Sequence, residues 1–343
     1  MLTILCPDKL SPRCEAALEA ALRGRESRRL TALTAPLQGE RLLFVVSTDL
    51  GVPHGLYDLL AYLRFNPDCL RGCVGGVLVD GGDLYTKSVG REIVLAAGLA
   101  GCTFPGRPLV EATSVLQNFT VQAKNADCSL EEAYHLAAAD LAERIEGFAP
   151  VRKAHPRLLV LHASSHRTSN TMALWQKVRE KLGDACEITE IGLRNGVLED
   201  CAGCPYTMCL HFGEQGGCFY GGVMVQEVYP AIRDCDAVVL LCPNYNDALS
   251  ANLTAAINRL TALYRTTPFT DKAVFALVVS GYSGGDIVAS QVVSAMSMNK
   301  GFWLPPDFCM LETANNAGDA LRLDGIDERL SAFAENLLRQ LKA

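Results

Sequence analysis

The sequence predicts an α/β protein of two domains, the second of them a doubly wound parallel sheet of five strands. Three observations lead there. At 343 residues the chain exceeds what one hydrophobic core usually fills, so two cores are expected. From residue 157 onward, apolar runs of strand length alternate with stretches of helical period, the pattern of parallel strands covered on both faces by crossover helices. Between the halves, FAPVRKAHPR at 148–157 sets two prolines and three Lys/Arg residues after a helical stretch ending at Ile145, which marks a linker. The domains are therefore placed at 1–150 and 151–343.

In the second domain the pattern predicts strands at Leu158–His162, Glu187–Leu193, Ala237–Cys242, Ala273–Ser280 and Phe308–Glu312. Helices are predicted at Thr171–Leu182, Val223–Arg233, Ala251–Tyr264, Ile287–Met298 and Ile326–Lys342. Leu174, Trp175, Val178 and Leu182 recur at helical spacing on one face of the first of these. The first domain shows the same alternation more weakly, with strands at Leu42–Ser47 and Gly76–Asp80 and helices at Ser88–Leu99 and Leu130–Ile145. Val77–Ala97 and Val239–Ile257 share a strand, a small-residue turn and a helix; this fits an internal duplication, and equally the convergence of any two parallel α/β units.

Composition excludes several classes. With 49% hydrophobic and 20% charged residues the chain has ample material for packed cores, which excludes wholesale disorder. A net charge of -7 without a basic stripe gives no electrostatic footprint for nucleic acid. No apolar run reaches transmembrane length, and Met1–Leu10 lacks the plan of a signal peptide. Fourteen cysteines in a chain of this size then read as reduced thiols or metal ligands, with the cytoplasm as the expected compartment.

In a doubly wound sheet the ligand sits where strand order reverses, at the carboxyl ends of the strands. Three loops there carry the candidate chemistry. Ser164, Ser165, Arg167, Ser169, Asn170 and Thr171 lie between a strand end and a helix start. Hydroxyls and free N–H groups at a helix N-terminus suit a phosphate, although Ser169, Asn170 or Thr171 would also serve as simple caps. Pro243, Asn244, Tyr245 and Asn246 form a turn after the third strand of this domain. Ser280, Gly281, Tyr282, Gly284 and Gly285 follow the fourth, where glycine lets backbone approach a planar ring and an aromatic side chain can stack on it.

The Ser-Ser-x-Arg-x-Ser-Asn-Thr loop after a strand resembles the FMN phosphate loop of the NADPH-dependent FMN reductase and flavodoxin-like oxidoreductase family. The Pro-Asn-Tyr-Asn turn and the SGYSGGD loop extend that resemblance over 157–343. It implies a flavodoxin-like fold, FMN as cofactor with the three loops as its binding residues, NADH or NADPH as co-substrate, and a homodimer. Residues 1–150 have no counterpart of the phosphate loop and resemble a degenerate flavodoxin half, expected to be cofactor-free and to support the dimer or roof the substrate pocket. The two-domain layout also resembles the flavone reductases of anaerobic gut bacteria, which implies an ene-reductase.

Cys201, Cys204, Cys209 and Cys218 fall within one loop and present enough thiols for a 4Fe-4S cluster or zinc. Iron-sulfur flavoproteins similar to this family carry four cysteines here, but with shorter gaps. Structural thiols without metal are the third reading, and the one favoured over the cluster. Tyr245, Tyr282, His211 and Tyr220 are the candidate proton donors for catalysis. The expected function is ping-pong hydride transfer to a small organic acceptor: a quinone, an azo or nitro compound, or the activated C=C of a flavonoid-like enone. An electron-transfer module and a non-catalytic flavin sensor are the alternatives.

Overall fold

The computed structural model describes residues 1–50, 53–82, 85–164 and 168–343, and the chain divides into two compact units, Met1–Ala149 and Pro150–Ala343. In the second unit, the strands are β6 (Arg157–His162), β7 (Glu187–Gly192), β8 (Ala237–Pro243), β9 (Ala273–Ser280) and β10 (Cys309–Thr313). They lie parallel in the order β7-β6-β8-β9-β10. Counted in chain order, this is 2-1-3-4-5, the flavodoxin-like doubly wound arrangement. Residues 237–242 and 273–280 are buried along their whole length, as continuous Val/Leu/Ala runs require when both faces of a sheet are covered.

The helices are α6 (Asn170–Leu182), α7 (Tyr206–Glu214), α8 (Tyr229–Asp234), α9 (Ala251–Tyr264), α10 (Gly285–Val292) and α11 (Ile326–Leu341). Each of the predicted helices 223–233 and 287–298 contains a π-helical segment, at Met224–Val228 and Val293–Asn299. The short helix α7 lies inside the cysteine loop, where no helix is expected from the sequence pattern.

In the first unit the strands are β1 (Leu2–Leu5), β2 (Ser27–Leu30), β3 (Arg41–Ser47), β4 (Val74–Asp80) and β5 (Leu109–Ala112), in the order β2-β1-β3-β4-β5 and all parallel. The helices are α1 (Pro12–Leu22), α2 (His54–Phe65), α3 (Thr86–Leu99), α4 (Thr120–Ala126) and α5 (Leu130–Gly147). α1 and α5 pack with one sheet face around Leu18, Leu43, Leu78, Tyr134 and Leu141.

Both units therefore repeat one plan, in a register that differs from the one the sequence suggests. The pairing of Val77–Ala97 with Val239–Ile257 sets β4 against β8, whereas the topology sets β4 against β9. Local hydrogen bonds follow the latter. The Thr48 N–H donates to Asp80 O (2.8 Å) as that of Asn244 does to Val279 O (2.9 Å). The Thr103 N–H donates to Cys73 O (2.9 Å) as that of Trp303 does to Lys272 O (3.0 Å). Gly101 and Gly301, each with positive φ, open matching segments, GCTFP and GFWLP.

Candidate functional site

In the second unit strand order reverses between β6 and β8, so the loops after β6, β8 and β9 border the crevice. The first loop ends in a hydroxyl-lined helix start. Ser169 caps α6, its Oγ accepting from the Met172 N–H at 3.2 Å. Thr171 Oγ1 lies 2.7 Å from Ser169 Oγ and 3.1 Å from the buried Ser164 Oγ. Three hydroxyls thus converge where the orphan N–H groups and the dipole of α6 favour an anion. Ser165 and Arg167 lie outside the described residues.

Asn170, expected on the phosphate, is committed elsewhere. Its Nδ2 donates to Ala314 O (3.3 Å) and Asn316 O (2.9 Å), and its Oδ1 accepts from the Gly318 N–H (2.9 Å). It therefore ties the loop after β6 to the loop after β10, a segment absent from the sequence-based site. The signal was readable there: Thr313-Ala314-Asn315-Asn316-Ala317-Gly318 is a small, polar stretch directly following an apolar strand. Asn315 Nδ2 donates to Tyr282 OH at 2.9 Å, so that loop also reaches a candidate donor.

The loops after β8 and β9 are joined to each other. Asn244 Nδ2 lies within hydrogen-bond distance of Ser280 Oγ (3.1 Å) and Ser283 O (2.9 Å). Asn246 and Asp247 both adopt positive φ, 55° and 57°, closing a tight turn in which Tyr245 and Ala248 bridge antiparallel. Tyr245 is left 61% exposed and Tyr282 81% exposed. Gly284, at φ 81°, precedes α10, and a Cβ there would fall 1.9 Å from Asp247 Oδ1. Gln291 completes this wall of the crevice, its Nε2 donating to Asp247 O (2.9 Å) and its Oε1 accepting from the Leu249 N–H (2.8 Å); nothing in the linear pattern marked it.

Of the candidate proton donors, Tyr245 and Tyr282 stand on these loops, while His211 and Tyr220 stand in the segment after β7. His211 is on α7, its Nε2 3.1 Å from Gln215 Nε2 and its ring edge-on to Phe212. Tyr220 lines a cavity of ≈ 150 Å³ together with Cys201, Cys204, Cys209 and Cys218. Burial, then the neighbouring Cys204, Cys218 and Cys201 sulfurs, push the Tyr220 phenol up. Arg259 of α9, 2% exposed, borders the same cavity and donates to Glu199 O (3.4 Å) and Gly221 O (2.7 Å). Although all four cysteines face one space, among the described residues no three His, Cys, Asp or Glu side chains form a group that could hold a metal ion. The cluster and zinc readings therefore gain no support from the geometry.

With this crevice in view, the carboxy-terminal half can be set beside known families. Residues 156–316 match the NADPH-dependent FMN reductase family. The matched segment of this FMN reductase-like domain runs from the residue before β6 to the loop after β10, and so holds all three crevice loops. Solved structures similar to the chain include an NAD(P)H:quinone oxidoreductase from Methanothermobacter marburgensis, 18% identical, covering 54% of this chain and 98% of that one, TM-score 0.42. RosB with a bound 8-demethyl-8-formylriboflavin-5'-phosphate intermediate is 15% identical, covering 54% and 80%, TM-score 0.42. An FMN-dependent NADH-azoreductase from Bacillus anthracis in complex with FMN is 12% identical, covering 53% and 99%, TM-score 0.37. No curated protein matches the chain.

The donor set of the FMN reductase-like domain fits FMN. Ser164, Ser169 and Thr171 offer hydroxyls to a phosphate. Gly281 and Gly285 keep open a cradle where a Cβ would stand 3.1 Å from Asn315 Oδ1 and 3.2 Å from Ser280 Oγ. In the first unit the equivalent helix start is closed from within. Ser11 caps α1, and Arg13 in its first turn donates bidentately to the fully buried Asp80, from Nε at 3.0 Å and Nη2 at 2.9 Å, and to Ser114 O at 2.8 Å.

Proposed function

We propose that the chain is an FMN-dependent NAD(P)H oxidoreductase that reduces a small organic acceptor in ping-pong order. The observation that carries this reading is the hydroxyl-lined start of α6 at the strand-order reversal, within a stretch matching the FMN reductase family. FMN, when bound, would supply two-electron chemistry between NADH or NADPH and the acceptor, whose protons would come from an acid and from water.

The chain's own groups bind, orient and expose. The Ser164, Ser169 and Thr171 hydroxyls and the N–H groups of the first turn of α6 hold the phosphate. Pro243, Asn246, Ser280, Gly281, Gly284 and Gly285 shape the crevice wall. Tyr245 and Tyr282, exposed at its rim, present apolar faces to a flat acceptor such as a quinone, azo or nitro compound or a flavonoid-like enone. Their hydroxyls are candidate proton donors, with His211 and Tyr220 in the segment after β7 as the other candidates. The Arg13–Asp80 pair fills the equivalent place in the first unit, which supports one FMN per chain and a covering or dimer-supporting role for residues 1–150. No helix among the described residues is long and apolar enough to cross a membrane; a cytoplasmic homodimer completes the reading.

Absorption spectra of the anaerobically purified full chain, before and after NADH or NADPH, with flavin and iron quantified on the same sample, test it. One flavin per chain that bleaches with nicotinamide and passes its electrons to a quinone is the expected result. Stoichiometric iron would replace the reading with an electron relay, bound flavin that no nicotinamide reduces would replace it with a sensor, and absence of flavin binding would overturn it.

A further inference from the structure

We infer that Asn244 is a positioning residue rather than a cofactor ligand: its amide fixes the loop bearing Tyr245 against the loop bearing Tyr282, and so sets the geometry in which FMN is reduced. The inference rests on the FMN reading above.

A side-chain amide has two N–H donors and one carbonyl oxygen. Asn244 Nδ2 faces three acceptors, Asp247 Oδ1 at 3.2 Å, Ser280 Oγ at 3.1 Å and Ser283 O at 2.9 Å, while Oδ1 accepts from the Asp247 N–H at 2.8 Å. Its donors are already outnumbered by acceptors from the protein, so none is left for a ligand. What the amide holds is a turn that needs holding. Two consecutive non-glycine residues at positive φ, Asn246 and Asp247, occupy a sparsely populated region that persists where surrounding contacts dictate it. The Tyr245 N–H reaches Ala248 O only at 3.4 Å, so the shorter bond from the Asp247 N–H to Asn244 Oδ1 is the firmer closure. In the adjoining β9 loop, Gly284 leaves the space that Asp247 Oδ1 enters, since a Cβ there would stand 1.9 Å from that oxygen and 3.0 Å from Asn244 Nδ2. Asn244 and Gly284 are two sides of one joint, and the aromatic side chains of Tyr245 and Tyr282 stand beyond it.

Asn244→Asp separates this role from that of a ligand. The substitution keeps the shape, removes both donors and sets a second carboxylate against that of Asp247. A proton shared between the two carboxyl groups restores one bond, so the defect diminishes as pH falls. Gly284→Ala breaks the joint from the other side and adds no ionisable group.

The test uses the full chain. Without FMN, hydrogen exchange in residues 244–250 and 281–284 is expected to quicken together in both variants. With saturating FMN, stopped-flow reduction by NADH is expected to slow at least tenfold in both at pH 8. Only Asn244→Asp is expected to recover toward the wild-type rate near pH 5.5. Unchanged exchange in the β9 loop would overturn the joint whether or not flavin binds. FMN affinity at least tenfold weaker in Asn244→Asp with an unchanged reduction rate at saturation would make Asn244 a ligand and overturn the inference. An exchange effect in both variants together with a wild type that binds no FMN would overturn the functional reading, and with it any role for the joint in reduction.

Discussion

Breaking the Arg13–Asp80 pair from its two ends will have unequal costs, and the difference follows from burial. The Asp80 side chain is fully buried, while that of Arg13 keeps 27% of its surface. Arg13→Met leaves the carboxylate in the interior without its charged partner, and the contact with Ser11 Oγ at 3.5 Å is too long to compensate. Removing one partner of such a pair costs about 3–5 kcal/mol, and the partial access to water that Arg13 itself enjoys sets the expectation at the low end, about 3 kcal/mol. Asp80→Asn instead leaves a guanidinium that turns into solvent, and loses one charge-assisted interaction worth about 1.5–3 kcal/mol, here at the lower figure. A domain of this size shifts its midpoint by roughly 2–4 °C per kcal/mol, so Arg13→Met will melt roughly 6–12 °C early and Asp80→Asn about half that. The protein provides a clean assay, because both tryptophans, Trp175 and Trp303, lie in the second unit and are buried. Far-UV circular dichroism will show an early step belonging to residues 1–149, while the tryptophan fluorescence transition stays in place. If Asp80→Asn proves equally or more damaging, or if neither variant moves the dichroism curve, the burial argument is wrong.

Two further outcomes follow from the thiols. Nine of the fourteen cysteines are buried and only Cys128 and the four between Cys201 and Cys218 are not, so a disulfide-exchange reagent will titrate about five thiols in the native chain and all fourteen in denaturant; nine or more native thiols would contradict the packing. Burial pushes the thiols of Cys6 and Cys73 up to about 11 and those of Cys14 and Cys235 up to about 12, from an ordinary value near 9. Above that ordinary value the unfolded chain has released protons that the folded chain still holds, so stability is full below pH 9 and falls as pH rises toward 11–12. Denaturant midpoints measured from pH 8 to pH 10.5 will decline, and a flat profile would refute the assignment.

The sheet was legible where burial writes itself into composition. β8 and β9 are unbroken apolar runs because both faces are covered, and the same is true of β3 and β4. β2 reads Ser-Arg-Arg-Leu and is mostly exposed; as an edge strand joined to the sheet by its backbone, it has no apolar signature to offer. α1 did carry a start signal, Ser11 as N-cap followed by Pro12, but its moderate apolar stripe of Cys14, Ala17, Leu18 and Ala21 is easily passed over. The repeat was obscured for a related reason. Any strand-turn-helix resembles any other, and only the less common detail, the positive-φ glycine opening GCTFP and GFWLP, fixes which unit matches which.

The sequence presents the candidate site as a set of loops, and the contacts within those loops come only with the structure. Strand-end position and residue type single out the segments after β6, β8 and β9, because in a doubly wound sheet the ligand is expected where strand order reverses. Sequence does not say whether a polar side chain there turns toward the ligand or toward the next loop. Asn170 and Asn244 turn toward loops after β10 and β9, more than a hundred and about forty residues away along the chain respectively. An amide that can both donate and accept is suited to joining backbones, so in such crevices asparagine is as apt for bracing as for binding. The hydroxyls of Ser164, Ser169 and Thr171 are the opposite case: two of their contacts are with one another, and each oxygen can both donate and accept, so the trio keeps hydrogen-bonding capacity for an anion at the start of α6. That difference in unspent capacity, and not nearness to the strand ends, is what separates the residues assigned here to the phosphate from those assigned to the frame around it.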